Sequence, residues 1–299
     1  MGNPRIGPEI TTTFEAGLEL KFFQGRLGLD ATYYNSVSRN QVISVDLPAT
    51  TGFTDIVLNA GQISNRGWEI VLDAVPVRTK DFQWDIEVNF TQYENIVDSL
   101  TDGIETIFLS GFTSTSSQVV AGQPYGAIFG DGFQKQRDAN GDLVLDSDGN
   151  SITIIGDDGF PLLDGNEQIW GDPNPDFVMG IRNSFRFKGL SLSALLDIRQ
   201  GGDMWCGTCG IIDYFGTSQK SGDLRTESTV FEGVVEQPDG SFAPNAKEVP
   251  YFDPAAGVNS AYWRRYGFGG PTELSIYNTS WIRLREVTLS YSLPKSVAN

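Results

Sequence analysis

A strict alternation of apolar and polar residues is the main pattern along this chain. Between Thr13 and Phe22 every even-numbered residue is apolar, and every odd-numbered residue is polar or glycine. Alternation with a period of two residues is typical of a β-strand that has one apolar and one polar face. The same alternation returns in six more segments, at residues 27–34, 68–74, 82–91, 177–186, 190–199 and 282–293. The sequence therefore predicts seven amphipathic strands.

The last of these segments changes phase part-way along its length. Ile282 and Leu284 are even-numbered, whereas Val287 and the apolar residues after it are odd-numbered. One extra residue near Arg285 and Glu286 would keep all of them on one face. The pattern therefore predicts a β-bulge at that point.

The connections between the segments alternate between very short and very long. Tight turns are predicted after the first, third and fifth segments, whereas the loops run over residues 41–63, 94–176 and 200–279. The two longest loops have about 80 residues, against roughly 12 to 15 at most for ordinary loops of a compact domain. Outer-membrane β-barrels have short periplasmic turns and long external loops. The chain is therefore predicted to be all-β, an antiparallel transmembrane β-barrel segment of about seven strands with long extracellular loops.

This architecture predicts where each face of a strand points. Apolar residues such as Phe14 and Leu196 are expected to face lipid, and their polar alternates a watery channel. Phe22, Phe82 and Phe187 fall at the short-turn end, where an interfacial aromatic girdle is expected. The alternative is an extracellular all-β carbohydrate-binding module with a calcium-binding acidic loop. In that case the apolar rows would meet in a shared dry core.

Seven strands do not complete a spanning barrel. Backbone amides that face hydrocarbon must be paired, so a spanning sheet has to close, and bacterial single-chain barrels have even strand numbers. The seventh segment ends just before Pro294, with no further strand behind it to meet the first. We therefore expect residues 1–299 to be part of a longer barrel.

Composition and charge exclude several classes of function. The formal net charge is -17, and residues 94–176 hold fifteen acids against Lys135 and Arg137, a net of -13 (2 - 15). Nucleic-acid binding is not expected, because phosphate contacts need clustered Lys and Arg. Histidine is absent, which removes Ser-His-Asp catalysis and the common zinc sites. There is no stretch of roughly 18 apolar residues that would predict a membrane-spanning helix.

The final segment carries a family likeness. Trp281–Pro294 (WIRLREVTLSYSLP) resembles the signature of TonB-dependent outer-membrane transporters of the SusC/RagA type. The likeness covers nearly the whole chain, and the joint spacing is more specific than any one motif. Further matches follow in the order of that family at residues 59–69, 90–100, 122–135, 140–142, 171–177, 214–218 and 231–234.

The resemblance implies a barrel of about 22 strands that holds an N-terminal plug. It also implies a TonB-contacting periplasmic segment and a SusD-like surface lipoprotein that caps the barrel. The expected location is the outer membrane of a Gram-negative, Bacteroidota-like cell, in contact with its lipid, and the expected function is TonB-powered import of oligomeric glycan or peptide. The plug, the TonB-contacting segment and the last strands are expected to lie outside residues 1–299.

An enzyme is not expected. Two carboxylates at about 5 to 9 Å would suffice for a glycosidase-like pair, but nothing in the sequence singles out two of the many acids. No cofactor is required for transport, and Ca²⁺ is the candidate ion.

An oxygen-rich run in the second long loop is the candidate calcium site. Calcium takes six to eight hard oxygen ligands, and alternating Asp and Asn residues supply them from one turn. The EF-hand pattern is not met, because Leu143 and Gly149 stand where it requires Gly and Glu. A calcium site and a plain acidic hairpin both remain open. The candidate ligands are Asp138, Asn140, Asp142, Asp146 and Asp148.

Aromatic residues of the third long loop are candidates for substrate contact. Exposed rings can stack on sugar rings or fill a partner's pocket, whereas packing of the loop against itself explains them equally well. On the polar face Asp197 and Arg199 are further candidates, with structural ion pairing as the alternative. The candidate aromatic residues are Trp205, Tyr214, Phe215, Trp263 and Tyr266.

Cys206 and Cys209 stand as Cys-Gly-Thr-Cys in a glycine-rich stretch. A thioredoxin-like motif needs a βαβ context that is missing here. A local disulfide or two bystander thiols is therefore expected.

Overall fold

The computed structural model describes residues 4–252 and 262–293, so Pro294 of the family signature lies outside the described residues. The strands are β1 (Ile10–Phe22), β2 (Leu27–Arg39), β3 (Val42–Asp46), β4 (Asp55–Asn59), β5 (Gly61–Arg78), β6 (Phe82–Leu100), β7 (Thr106–Phe112), β8 (Thr115–Val120), β9 (Ala127–Phe133), β10 (Leu163–Gly171), β11 (Phe177–Phe187), β12 (Leu190–Gln200), β13 (Asp203–Trp205), β14 (Ser228–Thr229), β15 (Val234–Glu236), β16 (Phe242–Pro244), β17 (Val249–Pro250), β18 (Ile276–Asn278) and β19 (Trp281–Tyr291). The helices are α1 (Gly207–Tyr214), α2 (Gln219–Asp223) and α3 (Tyr262–Tyr266), with 3₁₀ turns at Ala49–Thr51 and Thr272–Ser275. Among the described residues, the helices are too short or too polar to cross a membrane.

Seven long strands form one antiparallel sheet, which we call the wall. Its strand order is β1-β2-β5-β6-β11-β12-β19, so each wall strand pairs with the wall strands before and after it in the chain. All seven predicted strands are confirmed. Three of them are much longer than predicted, because β2 has 13 residues, β5 has 18 and β6 has 19.

The wall has an apolar face, and no second sheet formed by the described residues covers it. One row of apolar partners crosses all seven strands in register, Leu20, Leu29, Leu72, Val88, Ile181, Leu196 and Leu284. Phe14 on the same face is 64% exposed, and Leu18, Leu192 and Leu196 are also exposed. We call this the outer face and its reverse the polar face. A sandwich would hide these rows in a shared core, so the carbohydrate-binding alternative loses its main structural support.

The β-bulge is confirmed at Arg285. Leu195 pairs with Glu286, and the next residue, Leu196, pairs with Leu284. Arg285 is the extra residue between the two pairs, which returns Leu284 and Val287 to the outer face.

The wall does not close on itself. β1 and β19 each pair along one side only, so the sheet has two open edges. At its short-turn end Phe82 pairs with Phe187, which places two of the three predicted girdle residues in one row. Their contact with a membrane interface stays a prediction.

The long loops are folded, and the described core residues lie mainly in them. The sequence pattern treated residues 94–176 and 200–279 as loops, but they contain a four-stranded sheet in the order β10-β9-β8-β7, several two-stranded ladders and the three helices. The physical reason is that long insertions must bury their own apolar side chains to be ordered. One buried cluster is formed by Ala60, Val97, Ile107 and Val119, and the other by Phe133, Phe160, Val249, Tyr262, Trp263 and Tyr266.

Candidate functional site: the polar face and the loop aromatics

The polar face of the wall is divided by charge. Because the strands are paired in register, their polar alternates form continuous rows on this face. On the first four wall strands these rows are mainly acidic, whereas arginines prevail on the last three. The acids are Glu15, Glu19, Asp30, Glu69, Asp73, Asp85 and Glu87, and the arginines are Arg182, Arg186, Arg199, Arg283 and Arg285.

Asp197 lies among these arginines and is paired. Its Oδ2 atom is 2.9 Å from Nη2 of Arg283 and 3.1 Å from Nη1 of Arg285. The bulge allows both arginines to reach one carboxylate, because it inserts Arg285 without turning Arg283 away. The structure therefore places Asp197 in an ion-pair network. A direct role in substrate contact stays a prediction.

Arg199 does not pair with Asp197. Its guanidinium donates to Thr279 Oγ1 at 3.2 Å and to the carbonyl of Pro173 at 3.0 Å. These contacts join the C-terminal end of β12 to the second and third long loops. Among the described residues, Arg199 therefore positions the loops, and its role in substrate contact stays a prediction.

Two of the five candidate aromatic residues are buried. Trp263 is 3% exposed and Tyr266 is 4% exposed, because α3 packs against Phe133 and Phe160 in the second buried cluster. Burial raises the pKa of Tyr266 to about 12, and its hydroxyl donates to the carbonyl of Pro161. Both rings thus contribute to the loop core, and their contact with substrate stays a prediction.

Of the other three aromatic residues, Phe215 is exposed, and Trp205 and Tyr214 are half-buried. All three belong to a ladder of rings. Trp205 is followed by Phe112 at 6.0 Å between ring centroids, then by Phe268 at 6.0 Å, Tyr214 at 6.2 Å and Phe215 at 5.1 Å. Phe112 comes from a different long loop. Phe112 is not predictable from the sequence as part of this ladder, because no local pattern links it to Trp205, more than ninety positions further along the chain.

Cys206 and Cys209 form a disulfide. The Cys206 sulfur also accepts a hydrogen bond from the Cys209 backbone N–H at the start of α1. Of the two alternatives left open by the sequence, a local disulfide or bystander thiols, the structure has the disulfide, and the bond lies directly after Trp205.

The acidic run forms two similar hairpin turns. The Oδ1 atom of Asp138 accepts from the backbone N–H groups of Asn140 and Asp142, each at 2.9 Å. Asp146 repeats this with Asp148 at 2.9 Å and Asn150 at 2.8 Å. These backbone donors lower the pKa of both carboxyls.

Turns closed by a backbone hydrogen bond between residues three positions apart also occur where the first residue is not an aspartate. The Gly159 N–H donates to Gly156 and the Gly240 N–H donates to Gln237, in turns whose first residue has no carboxylate. The described residues contain no group of three or more Asp, Glu, Cys or His positioned for a metal. The turn geometry therefore does not require a cation, and the calcium site stays a prediction.

An open antiparallel wall with an exposed apolar face, a charged face and folded insertions defines a segment of a large β-barrel. The model of the TonB-dependent receptor-like β-barrel family matches residues 1–128. TonB-dependent receptor P3 of Formosa agariphila is 24% identical over 314 residues, covering 98% of this chain and 28% of the relative. TonB-dependent receptor SusC of Bacteroides thetaiotaomicron is 28% identical over 207 residues, covering 64% of this chain and 19% of the relative.

The fold comparison agrees with these relatives. The structure of the RagAB peptide importer in the closed-closed state superposes with a TM-score of 0.69 at 19% identity, covering 100% of this chain and 30% of that chain. The chain thus spans less than a third of the length of these proteins. Together the matches confirm the family likeness: the chain is similar to a segment of the β-barrel of SusC/RagA-type TonB-dependent receptors.

Proposed function

We propose that this chain supplies part of the wall and the long external loops of an outer-membrane importer of oligomeric nutrients, either glycan or peptide. The observation that carries the proposal is the apolar row from Leu20 to Leu284, which crosses seven strands and is not covered by any other layer of residues 4–252 and 262–293. A sheet that presents apolar residues on one face and charged residues on the other suits a wall between lipid and water. The apolar row contacts outer-membrane lipid, and the polar face borders the channel.

The remaining parts of the importer belong to the whole protein. Residues 1–299 are one portion of the barrel, with the plug, the TonB-contacting segment and the other strands supplied from outside this range. The TonB complex provides the energy through those parts, and a SusD-like surface lipoprotein cooperates at the external loops. Likeness to SusC and to RagAB supports this assignment, as does the Bacteroidota-like origin that the relatives suggest.

Selectivity comes from non-covalent contacts with the loops and the polar face. The relatives are receptors and importers by name, which supports transport without a covalent step. The net charge of -17 disfavours nucleic acid as a cargo.

Uptake by whole cells tests the proposal. The gene is deleted in its host, and entry of fluorescent oligosaccharides and oligopeptides is compared with the complemented strain and with a strain lacking TonB. We expect uptake of one oligomer class to need both the gene and TonB, while free glucose enters all strains equally. Unchanged uptake of every oligomer in the deletion strain would contradict the proposal.

A further inference from the structure

A cleft without charged side chains lies between the third long loop and the four-stranded sheet β10-β9-β8-β7, which we call the small sheet. Its volume is about 290 Å³, close to the lower limit of roughly 300 Å³ for small-molecule pockets. Phe112, 52% exposed, and Trp205 form its walls, and the buried Ile128 contributes to its floor. The chain has 21 basic and 38 acidic side chains, yet none of them lines this cleft. A neutral ligand of modest size fits these properties.

Hydroxyl groups stand beside the two rings. Ser110, Ser117 and Ile128 are register partners on three neighbouring strands, so they share one face of the small sheet. Within the described part of the chain, the Ser110 hydroxyl and Trp205 Nε1 have no hydrogen-bond partner. The Ser117 hydroxyl donates to the carbonyl of Gly126 at 3.0 Å. The Ser110 hydroxyl and Trp205 Nε1 are therefore the two donors left for a ligand beside a mainly apolar, aromatic surface.

Trp205 is held in place by its neighbours. Its backbone pairs with Ile276, and the next N–H, of Cys206, donates to the carbonyl of Ser275 at 2.8 Å. A Cβ atom at Gly207 would lie 2.5 Å from the Trp205 ring, so the ring occupies space that only glycine leaves free. The Cys206–Cys209 disulfide closes the same turn. A ring fixed before binding loses little conformational entropy when a ligand arrives.

We propose that this cleft binds one uncharged sugar ring of an oligosaccharide. A pyranose has apolar C–H faces that pack on aromatic rings and hydroxyls at its edge that need hydrogen-bond partners, which matches two aromatic walls with donors beside them. A charged peptide terminus or an acidic sugar would lose its hydration without gaining an opposite charge. The inference rests on the proposed import function and selects glycan over peptide.

Binding to the full-length protein in detergent tests the site. Isothermal titration calorimetry is run with neutral hexasaccharides of glucose, mannose, xylose and galactose, with an uncharged hexapeptide, and with oligogalacturonate. We expect at least one neutral hexasaccharide to bind, and its Kd to rise at least tenfold in Trp205→Ala and in Phe112→Ala. Phe53→Ala, an exposed aromatic residue in the first long loop, is the matched control and should stay within twofold of the parent.

Two further variants separate a lost site from a damaged fold. Ser110→Phe fills the cleft from an exposed position, and Gly207→Ala displaces the Trp205 ring without removing it, so both should weaken binding in protein that remains folded. The cleft assignment is overturned if no neutral sugar binds, if the hexapeptide or oligogalacturonate binds there instead, or if these variants bind like the parent. Import that persists in such a case leaves the transport function intact, whereas absent import of all oligomers refutes that function separately.

Discussion

The division of the wall into a lipid face and a water face can be tested with two arginine substitutions on β12. Leu196 lies one residue beyond the centre of this eleven-residue strand, and Ser193 lies two residues before it. On the outer face Leu196 pairs with Ile181 and Leu284. On the polar face the register partners of Ser193 are Ser184 and Thr288. The two sites therefore share depth and strand and differ in the face.

The expected cost differs because an arginine on the lipid face must sit in hydrocarbon. Near the bilayer midplane this costs about 2–4 kcal/mol, which is roughly 30-fold to several hundredfold in the folding equilibrium. Leu196→Arg should lower the free energy of unfolding by that amount. Ser193→Arg should change it by less than about 0.5 kcal/mol, as for ordinary surface substitutions.

Guanidinium unfolding of the full-length protein in phospholipid vesicles, followed by tryptophan fluorescence, measures both values. The order of the two costs is decisive. Equal costs at the two positions, or a larger cost at Ser193, would falsify the assignment of the outer face to lipid.

The remaining predictions concern the ion pairs, the loop core and the acidic turns. Asp197→Asn should cost about 1 kcal/mol and lose most of that effect in 1 M salt, as measured by unfolding midpoints. Tyr266→Ala should destabilise the loop core by about 3–5 kcal/mol, seen as faster hydrogen exchange there with wall exchange unchanged. Because the folded pKa of Asp146 is below its ordinary 3.8, its turn contribution should be complete above that pH and lost below it as the lowered pKa is crossed, seen as falling protection of the Asn150 amide. Chelation of calcium should leave that protection unchanged at neutral pH, and a fall would favour the calcium site.

The wall could be predicted from sequence because each strand meets the same two environments along its whole length. From Phe14 to Phe22 the apolar residues all fall on one side, and the register repeats this in every neighbouring strand. Even the bulge at Arg285 is visible, since it is the one place where the phase must change. The pattern failed at the outer end of β5 and β6, where the strands continue to Gly61 and Leu100 among folded insertions.

The candidate site was less predictable, because it depends on contacts between distant residues. Trp263 and Phe215 are both aromatic residues of the third long loop, yet one is 3% and the other 62% exposed. Their difference arises from packing against Phe133 and Phe160, which come from another loop. Phe112 reaches Trp205 in the same way. Local periodicity contains no information about contacts between residues that lie far apart in the sequence.

The pairing of β6 with β11 brings the two ends of the second long insertion together at its base. Lengthening a closed loop adds free energy only logarithmically, about 0.6 kcal/mol for each doubling. Whole insertions can therefore be exchanged or extended between relatives while the register of the wall is kept. In the proposed importer, cargo preference and fit to the bilayer can thus change independently in one polypeptide.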